Sequence, residues 1–130
     1  MPIARLDHFT VLTQDAIATA EFYSFLLGLE PGPQPSLSVP VVWLYHDGKP
    51  ILHIIERDEI PSGPGVLDHM AFWGTNLAEF TEKLRARNVA YELRQLPEGG
   101  PGAGVWQLFF HDHNGARVEI DLAANEAARP

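Results

Sequence analysis

The chain has 130 residues, a length typical of one domain that buries a hydrophobic core of its own. Its formal net charge of −8 and its scattered Lys and Arg residues argue against nucleic acid as a partner, because phosphates require a basic surface. The chain contains no cysteine, which excludes disulfides, thiolate metal ligands and a cysteine nucleophile.

The composition also bounds the location of the protein and its metal chemistry. No apolar run approaches the roughly 18–20 residues of a membrane span, and Met1–Leu6 has no signal-peptide pattern. We therefore expect a cytoplasmic protein with no membrane partner. Any metal site must use His, Asp and Glu side chains, which favours iron, manganese, nickel or zinc.

One pattern occurs twice along the chain. Leu6-Asp7-His8 recurs as Leu67-Asp68-His69, and the helix N-cap types Asp15 and Asn76 recur at the same offset. An apolar stripe after Asp15 predicts one helix ending near Gly28, and its members are Ala18, Phe22, Phe25, Leu26 and Leu29. After Asn76, an Asn-x-x-Glu box and the apolar residues Leu77, Phe80 and Leu84 predict a second helix. Each half therefore opens with a strand of about eight residues and continues into a helix.

Further strands complete each half. The predicted strands are Val41–Tyr45 and Ile51–Glu56 in the first half, and Tyr91–Leu96, Val105–Phe110 and Val118–Leu122 in the second. Short turns at His46–Gly48 and Asp112–Gly115 separate hairpin strands, and Pro31–Pro40 and Pro97–Gly104 are predicted loops. The order is β-α-β-β-β twice, although the second strand of the first half is poorly marked.

This order predicts a single domain of the α+β class, built from two tandem modules. Module one covers about residues 4–58, the linker residues 59–65 and module two about residues 66–123, followed by a short C-terminal tail. We expect an open, cup-like, antiparallel-rich sheet with the helices on its outer face.

Strand alternation assigns one polar group to the face opposite the helix on four strands. His8 opposes Phe9, and His69 opposes Met70. His53 opposes Leu52 and Ile54, and Glu119 opposes Val118 and Ile120. Two such sheets side by side would bring His8, His53, His69 and Glu119 into one concave space.

The residue types of this set favour a metal site. A lone His in a strand is more often a hydrogen-bonded core residue, but four such groups at repeat-related positions reverse that preference. We predict that His8, His69 and Glu119 bind a divalent metal. Three protein ligands leave positions open for substrate, water or dioxygen, as in catalytic sites.

The chain resembles the vicinal oxygen chelate superfamily, which includes glyoxalases, bleomycin-resistance proteins and extradiol dioxygenases. The residues that carry the likeness are Leu6-Asp7-His8, Phe22-Tyr23, Leu27-Gly28-Leu29, Leu67-Asp68-His69, and Phe109–Gly115 running into Val118-Glu119-Ile120. The resemblance covers nearly the whole chain and implies a homodimer that acts on a small molecule. It does not choose a reaction, because one fold serves many chemistries.

His53 separates the reactions that the resemblance allows. Glyoxalase-like members carry a fourth metal ligand there, usually Glu, whereas dioxygenase-like members carry a His that moves protons for the substrate. The resemblance thus implies a dioxygenase-like enzyme with Fe(II) and His53 as its catalytic acid–base, whose substrate chelates the metal through vicinal oxygens. The alternatives are a glyoxalase I-like lyase or isomerase with Zn, Ni or Mn, in which His53 is a ligand or the base, and a metal-free drug-binding protein.

The second module departs from the extradiol signature, and the upstream His of that signature has no counterpart in Glu98–Gly104. Phe109 stands where that signature has Tyr, and His113 stands where it has Pro. These departures weaken the case for ordinary catechol cleavage. His46, His111 and His113 lie in or beside turns, and we predict that they are surface residues.

Overall fold

The computed structural model describes residue 2 and residues 4–127. The chain divides into two compact units, Met1–Ser62 and Gly63–Pro130. Each unit has one helix and its own mixed four-stranded sheet, so the predicted α+β fold with two β-α-β-β-β modules is confirmed. Neither helix of the described residues has the length and apolar character needed to cross a membrane.

The first unit contains the strands β1 (Phe9–Thr13), β2 (Glu30–Pro31), β3 (Val41–His46) and β4 (Lys49–Glu56), and the helix α1 (Ala16–Leu27). The strand order in its sheet is β1-β4-β3-β2. β1 is parallel to β4, whereas the other neighbours are antiparallel. Parallel neighbours need a long connection, which α1, β2 and β3 provide between β1 and β4. The chain therefore returns with β4 beside β1.

The second unit repeats this arrangement. It contains the strands β5 (Met70–Trp73), β6 (Tyr91–Gln95), β7 (Trp106–His111) and β8 (Arg117–Leu122), and the helix α2 (Leu77–Ala86). The strand order is β5-β8-β7-β6, with β5 parallel to β8. β1 therefore corresponds to β5, and β4 corresponds to β8.

Three predicted details differ from the structure. β1 and β5 have five and four residues where about eight were expected, so His8 and His69 lie immediately before their strands. β2 has two residues and lies at the start of the predicted loop. A strand this short leaves no alternating pattern in the sequence, so the sequence does not predict it. Ala18 of the apolar stripe is exposed, and the buried face of α1 is instead formed by Ala16, Thr19, Ala20, Phe22, Tyr23 and Leu26.

Side-chain caps begin both helices, as the sequence predicts. Oδ1 of Asp15 accepts a hydrogen bond from the Ala18 backbone N–H at 3.0 Å. Oδ1 of Asn76 accepts from the Glu79 backbone N–H at 3.3 Å. Gly28 ends α1 with a φ of 74°, a left-handed conformation that favours glycine.

Alternate residues of each sheet form an apolar, buried face, and in the first unit this face packs against the helix. Leu44, Leu52 and Ile54 are fully buried in the first unit, where α1 contacts β3 and β4. Val118, Ile120 and Leu122 are fully buried in the second unit. Burying a Val, Leu or Ile side chain stabilises a fold by about 1.5–3 kcal/mol, so this alternation fixes which residues remain on the opposite face.

Candidate functional site

Each unit contains a histidine held by the aspartate that precedes it. Nδ1 of His8 lies 2.8 Å from Oδ2 of Asp7, and Nδ1 of His69 lies 2.7 Å from Oδ2 of Asp68. When Nδ1 donates to a carboxylate, the neutral imidazole carries its lone pair on Nε2. The repeated pair therefore presents Nε2 of both histidines in the form that binds metals, and the carboxylate fixes the orientation of each ring.

An arginine in turn contacts each aspartate. Arg117 donates from NH1 to Oδ2 of Asp68 at 2.7 Å, and Arg5 donates to Oδ1 of Asp7 at 3.4 Å. The hydrogen bond from His69, followed by that from Arg117, holds the pKa of Asp68 below its usual value. The pKa of Asp7 is lowered first by the hydrogen bond from His8 and to a smaller extent by Arg5. Both carboxylates are therefore ionised near neutral pH and accept the Nδ1 protons.

In the second unit, the free nitrogen of the histidine meets a carboxylate. Nε2 of His69 lies 2.9 Å from Oε1 of Glu119, whose side chain is only 7% exposed. Metal–ligand distances for nitrogen and oxygen are about 2.0–2.2 Å. When the angle between two such bonds at one ion is roughly 90°, the two ligand atoms lie about 3 Å apart. The spacing of this pair thus suits neighbouring ligands of a single ion.

The surroundings of Glu119 contain more carboxylate oxygens than hydrogen-bond donors. Gln107 donates from Nε2 to Oε2 of Glu119 at 3.2 Å. Oδ1 of Asp121 is buried and has no hydrogen-bond partner among the described residues. Burial, together with the hydrogen bond and charge of Glu119, raises the pKa of Asp121 to about 7. Two adjacent carboxyl groups with an unsatisfied oxygen favour a cation, so the residues of this region fit a divalent metal.

In the first unit, His53 lies between two aromatic rings. Its imidazole stacks on His8 with ring centroids 3.7 Å apart and on Trp43 with centroids 3.9 Å apart. Nε2 of His53 lies 3.1 Å from the carbonyl oxygen of Pro50. His53 is 8% exposed, and its burial, followed by the charge of His8, lowers its pKa. The residue is therefore a neutral imidazole with Nε2 as donor and Nδ1 as the basic nitrogen.

His53 and Glu119 occupy equivalent positions in the two sheets. β1 and β4 pair Thr10 with His53, and β5 and β8 pair Ala71 with Glu119. Thr10 and Ala71 each follow the histidine of their unit by two residues. The same strand position therefore carries an imidazole in one unit and a carboxylate in the other.

The structure brings the predicted site residues together in two pairs, His8 with His53 and His69 with Glu119. Across residues 2 and 4–127, no group of three or more His, Asp or Glu side chains has the arrangement of a metal site. The three-ligand set of His8, His69 and Glu119 therefore stays a prediction. His46, His111 and His113 are exposed.

Four polar residues near the second pair had no assigned role in the sequence interpretation: Arg94, Gln107, Arg117 and Asp121. Arg117 and Asp121 lie two residues on either side of Glu119 and so share its face of β8. Gln107 pairs with Asp121 across β7 and β8, and Arg94 pairs with Gln107 across β6 and β7. Alternation along β8 places Arg117 and Asp121 on the face of Glu119, whereas the positions of Gln107 and Arg94 beside them depend on the register between strands.

Comparison with known proteins identifies the family. The model of the Glyoxalase/Bleomycin resistance protein/Dioxygenase superfamily matches residues 5–120. The chain belongs to this superfamily. It is 31% identical over 125 residues to Glyoxylase I 4 of Arabidopsis thaliana, covering 91% of this chain and 70% of that protein.

Solved structures of the superfamily share the fold at lower identity. The fosfomycin resistance protein FosX of Listeria monocytogenes has a TM-score of 0.73 and 20% identity, with 93% of this chain and 94% of that chain covered. A glyoxylase/bleomycin resistance protein/dioxygenase domain from Frankia sp. EAN1pec has a TM-score of 0.74 and 18% identity, covering 93% and 98%. A mutant FosX in complex with Mn(II) and 1S,2S-dihydroxypropylphosphonic acid has a TM-score of 0.70 and 21% identity, covering 95% and 94%.

Proposed function

We propose that the protein is a metal-dependent enzyme in which His8, His69 and Glu119 bind one divalent ion. The observation that carries the proposal is the 2.9 Å contact between Nε2 of His69 and Oε1 of Glu119, with Nδ1 of His69 fixed by Asp68. The matching Asp7–His8 pair supplies a second imidazole of the same tautomer. Two nitrogens and one carboxylate form a donor set that leaves positions open for a substrate.

The substrate class follows from those open positions. We propose a small molecule that presents two adjacent oxygens, and the ion would polarise those oxygens as a Lewis acid. The mutant FosX, which shares this fold, was solved with Mn(II) and a vicinal diol. Fe(II) is the metal we favour for this chain, with Mn, Ni and Zn as alternatives.

We propose that His53 carries a proton for the substrate and is not a fourth ligand. Its Nε2 donates to the Pro50 carbonyl, so a metal could reach only Nδ1. Its ring lies face to face with His8 at 3.7 Å, which leaves little freedom to turn that nitrogen towards another atom. Nδ1 can accept a proton from a substrate hydroxyl and later return it. A three-ligand centre with an adjacent basic imidazole supports dioxygenase-like chemistry.

A glyoxalase I-like lyase is the second candidate. The likeness to Glyoxylase I 4, at 31% identity over 91% of this chain, favours it. In that case His53 would be the base that moves a proton next to a carbonyl. A metal-free binding protein is the least supported alternative, because it needs neither the repeated Asp–His pair nor the His69–Glu119 contact.

Metal analysis followed by two assays tests the proposal. The protein is purified without chelator, its metal content is measured, and it is loaded anaerobically with Fe(II), Mn(II) or Zn(II). Oxygen consumption with catechol-type diols reports dioxygenase activity, and loss of methylglyoxal with glutathione reports glyoxalase activity. We expect stoichiometric metal and oxygen consumption. A protein that binds no ion above trace level contradicts the proposal.

We also expect a homodimer, as the family resemblance implies. Sedimentation velocity measures the assembly directly. Mixing His8→Ala chains with Glu119→Ala chains then asks whether the three ligands come from one chain or from two. Metal binding that returns on mixing indicates ligands from two copies, whereas no recovery indicates ligands from one chain.

A further inference from the structure

Two arginines of the second unit converge on the ring of Phe109. Cζ of Arg94 lies 4.6 Å from the ring centroid, and Cζ of Arg117 lies 4.4 Å from it. The arginines come from β6 and β8, the strands on either side of β7, which carries Phe109. The Phe109 ring also contacts His69 edge to face, with centroids 5.9 Å apart. Two positive groups therefore lie beside the proposed metal ligands, in a chain with a net charge of −8.

The two guanidinium groups differ in their partners. Arg117 donates to Asp68, so a carboxylate compensates its charge. Arg94 donates from Nε to Oε1 of Gln107 at 3.3 Å, and no carboxylate of the described residues pairs with it. Arg94 is exposed, and its terminal N–H groups are free of protein acceptors in the described part of the chain. It is therefore the arginine that can accept an anionic partner from solution.

The side-chain amide of Gln107 connects Arg94 to the proposed metal ligand Glu119. Gln107 accepts from Arg94 and donates to Oε2 of Glu119 at 3.2 Å. The stack on Phe109 and the bond to Gln107 hold the guanidinium in one direction, so little rotamer freedom is lost when it binds a ligand. An arginine that served only solubility would need neither contact.

From this placement we infer that the substrate carries an oxyanion group besides its two vicinal oxygens, and that Arg94 binds this group. The inference rests on the proposed function, because it assumes that the vicinal oxygens bind the metal held by Glu119. A guanidinium offers two parallel N–H donors that match a carboxylate or a phosphonate. Arg94 is thus a specificity-determining residue, and a neutral diol is a poorer ligand than an anionic one.

Matched chelators test the inference by binding alone. Catechol, 3,4-dihydroxybenzoate and 3,4-dihydroxyphenylphosphonate share the diol and differ only in the added group. Titration calorimetry with Mn(II)-loaded protein gives the three dissociation constants, and the ratio of the anionic ligands to catechol is the readout. The two anionic ligands distinguish a carboxylate preference from a phosphonate preference.

We expect the wild-type protein to bind at least one anionic ligand about 10- to 100-fold more tightly than catechol, the range of a charge-assisted hydrogen bond. Arg94→Gln should reduce this preference to within about threefold, and the ratio to catechol corrects for any change that the three ligands share. Arg94→Lys keeps the charge without the planar fork and should retain part of the preference. Arg85→Gln removes one charge from the exposed surface of α2 and should behave as wild type.

The failures of the inference and of the proposed function are distinguishable. Equal binding of all three ligands, or a preference that survives in Arg94→Gln, overturns the role of Arg94 and leaves the metal site intact. A protein that binds neither Mn(II) nor catechol overturns the proposed function and this inference with it.

Discussion

In the first unit, the strand position that faces the Asp–His pair is occupied by His53, which stacks between His8 and Trp43. In the second unit, the equivalent position is occupied by Glu119, which contacts Nε2 of His69 through its carboxylate. The strand order, the parallel pairing beside each Asp–His pair and the Asp–His hydrogen bond recur in both units. The imidazole of the first unit is therefore stacked between rings, whereas the carboxylate of the second contacts the histidine directly, and our proposal gives the first position to the proton carrier and the second to a metal ligand.

The aromatic neighbours of these positions follow the same division. Trp43 pairs with His53 across β3 and β4, and Phe109 pairs with Glu119 across β7 and β8. Trp43 lies flat on an imidazole, whereas Phe109 contacts two guanidinium groups. The first unit thus offers stacked rings, and the second offers charges of both signs.

The largest expected effect concerns His53. His53→Gln should lower kcat by about 10²–10⁴, the usual contribution of a positioned acid–base group. Because we propose that His53 is not a ligand, and its Nε2 already donates to the Pro50 carbonyl, the Mn(II) dissociation constant should change by less than about threefold. Calorimetry and steady-state kinetics measure the two quantities. His53→Ala is the control for metal binding through the Gln amide, and markedly weaker metal binding in both variants would make His53 a ligand.

The reverse change sharpens the comparison of the two units. His53→Glu gives the first unit the carboxylate of the second and supplies a possible fourth protein ligand, as in glyoxalase-like members. We expect tighter Mn(II) binding and weaker binding of catechol, because one open position is filled. Unchanged metal affinity in this variant would show that the first-unit position is directed away from the ion.

The aspartates behind the two histidines should have unequal effects. Asp68→Asn should weaken Mn(II) binding by about 10- to 100-fold, the range for residues that orient a metal ligand. Asp7→Asn should weaken Mn(II) binding less, because Asp7 is held less firmly than Asp68. Arg5 contacts Asp7 at 3.4 Å, whereas Arg117 contacts Asp68 at 2.7 Å. Equal affinities for both variants and the wild type would show that neither aspartate orients its histidine.

Most elements could be predicted from the sequence, and the interactions around the site could not. Alternation of apolar residues predicted β3, β4 and β6–β8, and polar N-caps marked both helices, because these signals are local. The stack of His53 and the link from Arg94 to Glu119 depend on which residues lie opposite one another across strands. That register is fixed by tertiary packing and turn geometry, so the sequence alone does not show it.

The smallest expected effects concern how the helices begin. Asp15→Ala and Asn76→Ala should each lower the free energy of unfolding by about 1 kcal/mol through loss of an N-cap. Each helix start also has a second carboxylate, Glu56 at the Ala16 N–H and Glu126 at the N–H groups of Asn76 and Leu77. Asn76→Ala should cost more, because Asn76 has a φ of 70°, a left-handed conformation that alanine adopts less readily than asparagine. Urea denaturation of the metal-free variants measures both values. An equal or smaller loss in Asn76→Ala would show that the left-handed conformation at residue 76 adds no cost for alanine.

Glu126 should add a pH dependence to the stability of the second unit. The two backbone hydrogen bonds lower its pKa from the ordinary value of 4.5. This stabilisation is present above that value and is lost as the pH falls through the lowered pKa. The melting temperature of the wild type should therefore fall more steeply than that of Glu126→Gln as the pH drops from about 5 to about 3. Parallel curves would remove Glu126 from the acid response.

The number of imidazoles on the bound ion tests the central claim most directly. Electron spin-echo envelope modulation of the Mn(II)-loaded protein counts the histidine nitrogens that coordinate the metal. We predict one ion per chain with two imidazoles in the wild type, one imidazole or no stoichiometric metal in His8→Ala and in His69→Ala, and two imidazoles in His53→Gln. A wild-type ion with one imidazole, or an ion that keeps both in His8→Ala, would contradict the assignment of His8, His69 and Glu119 to one metal centre.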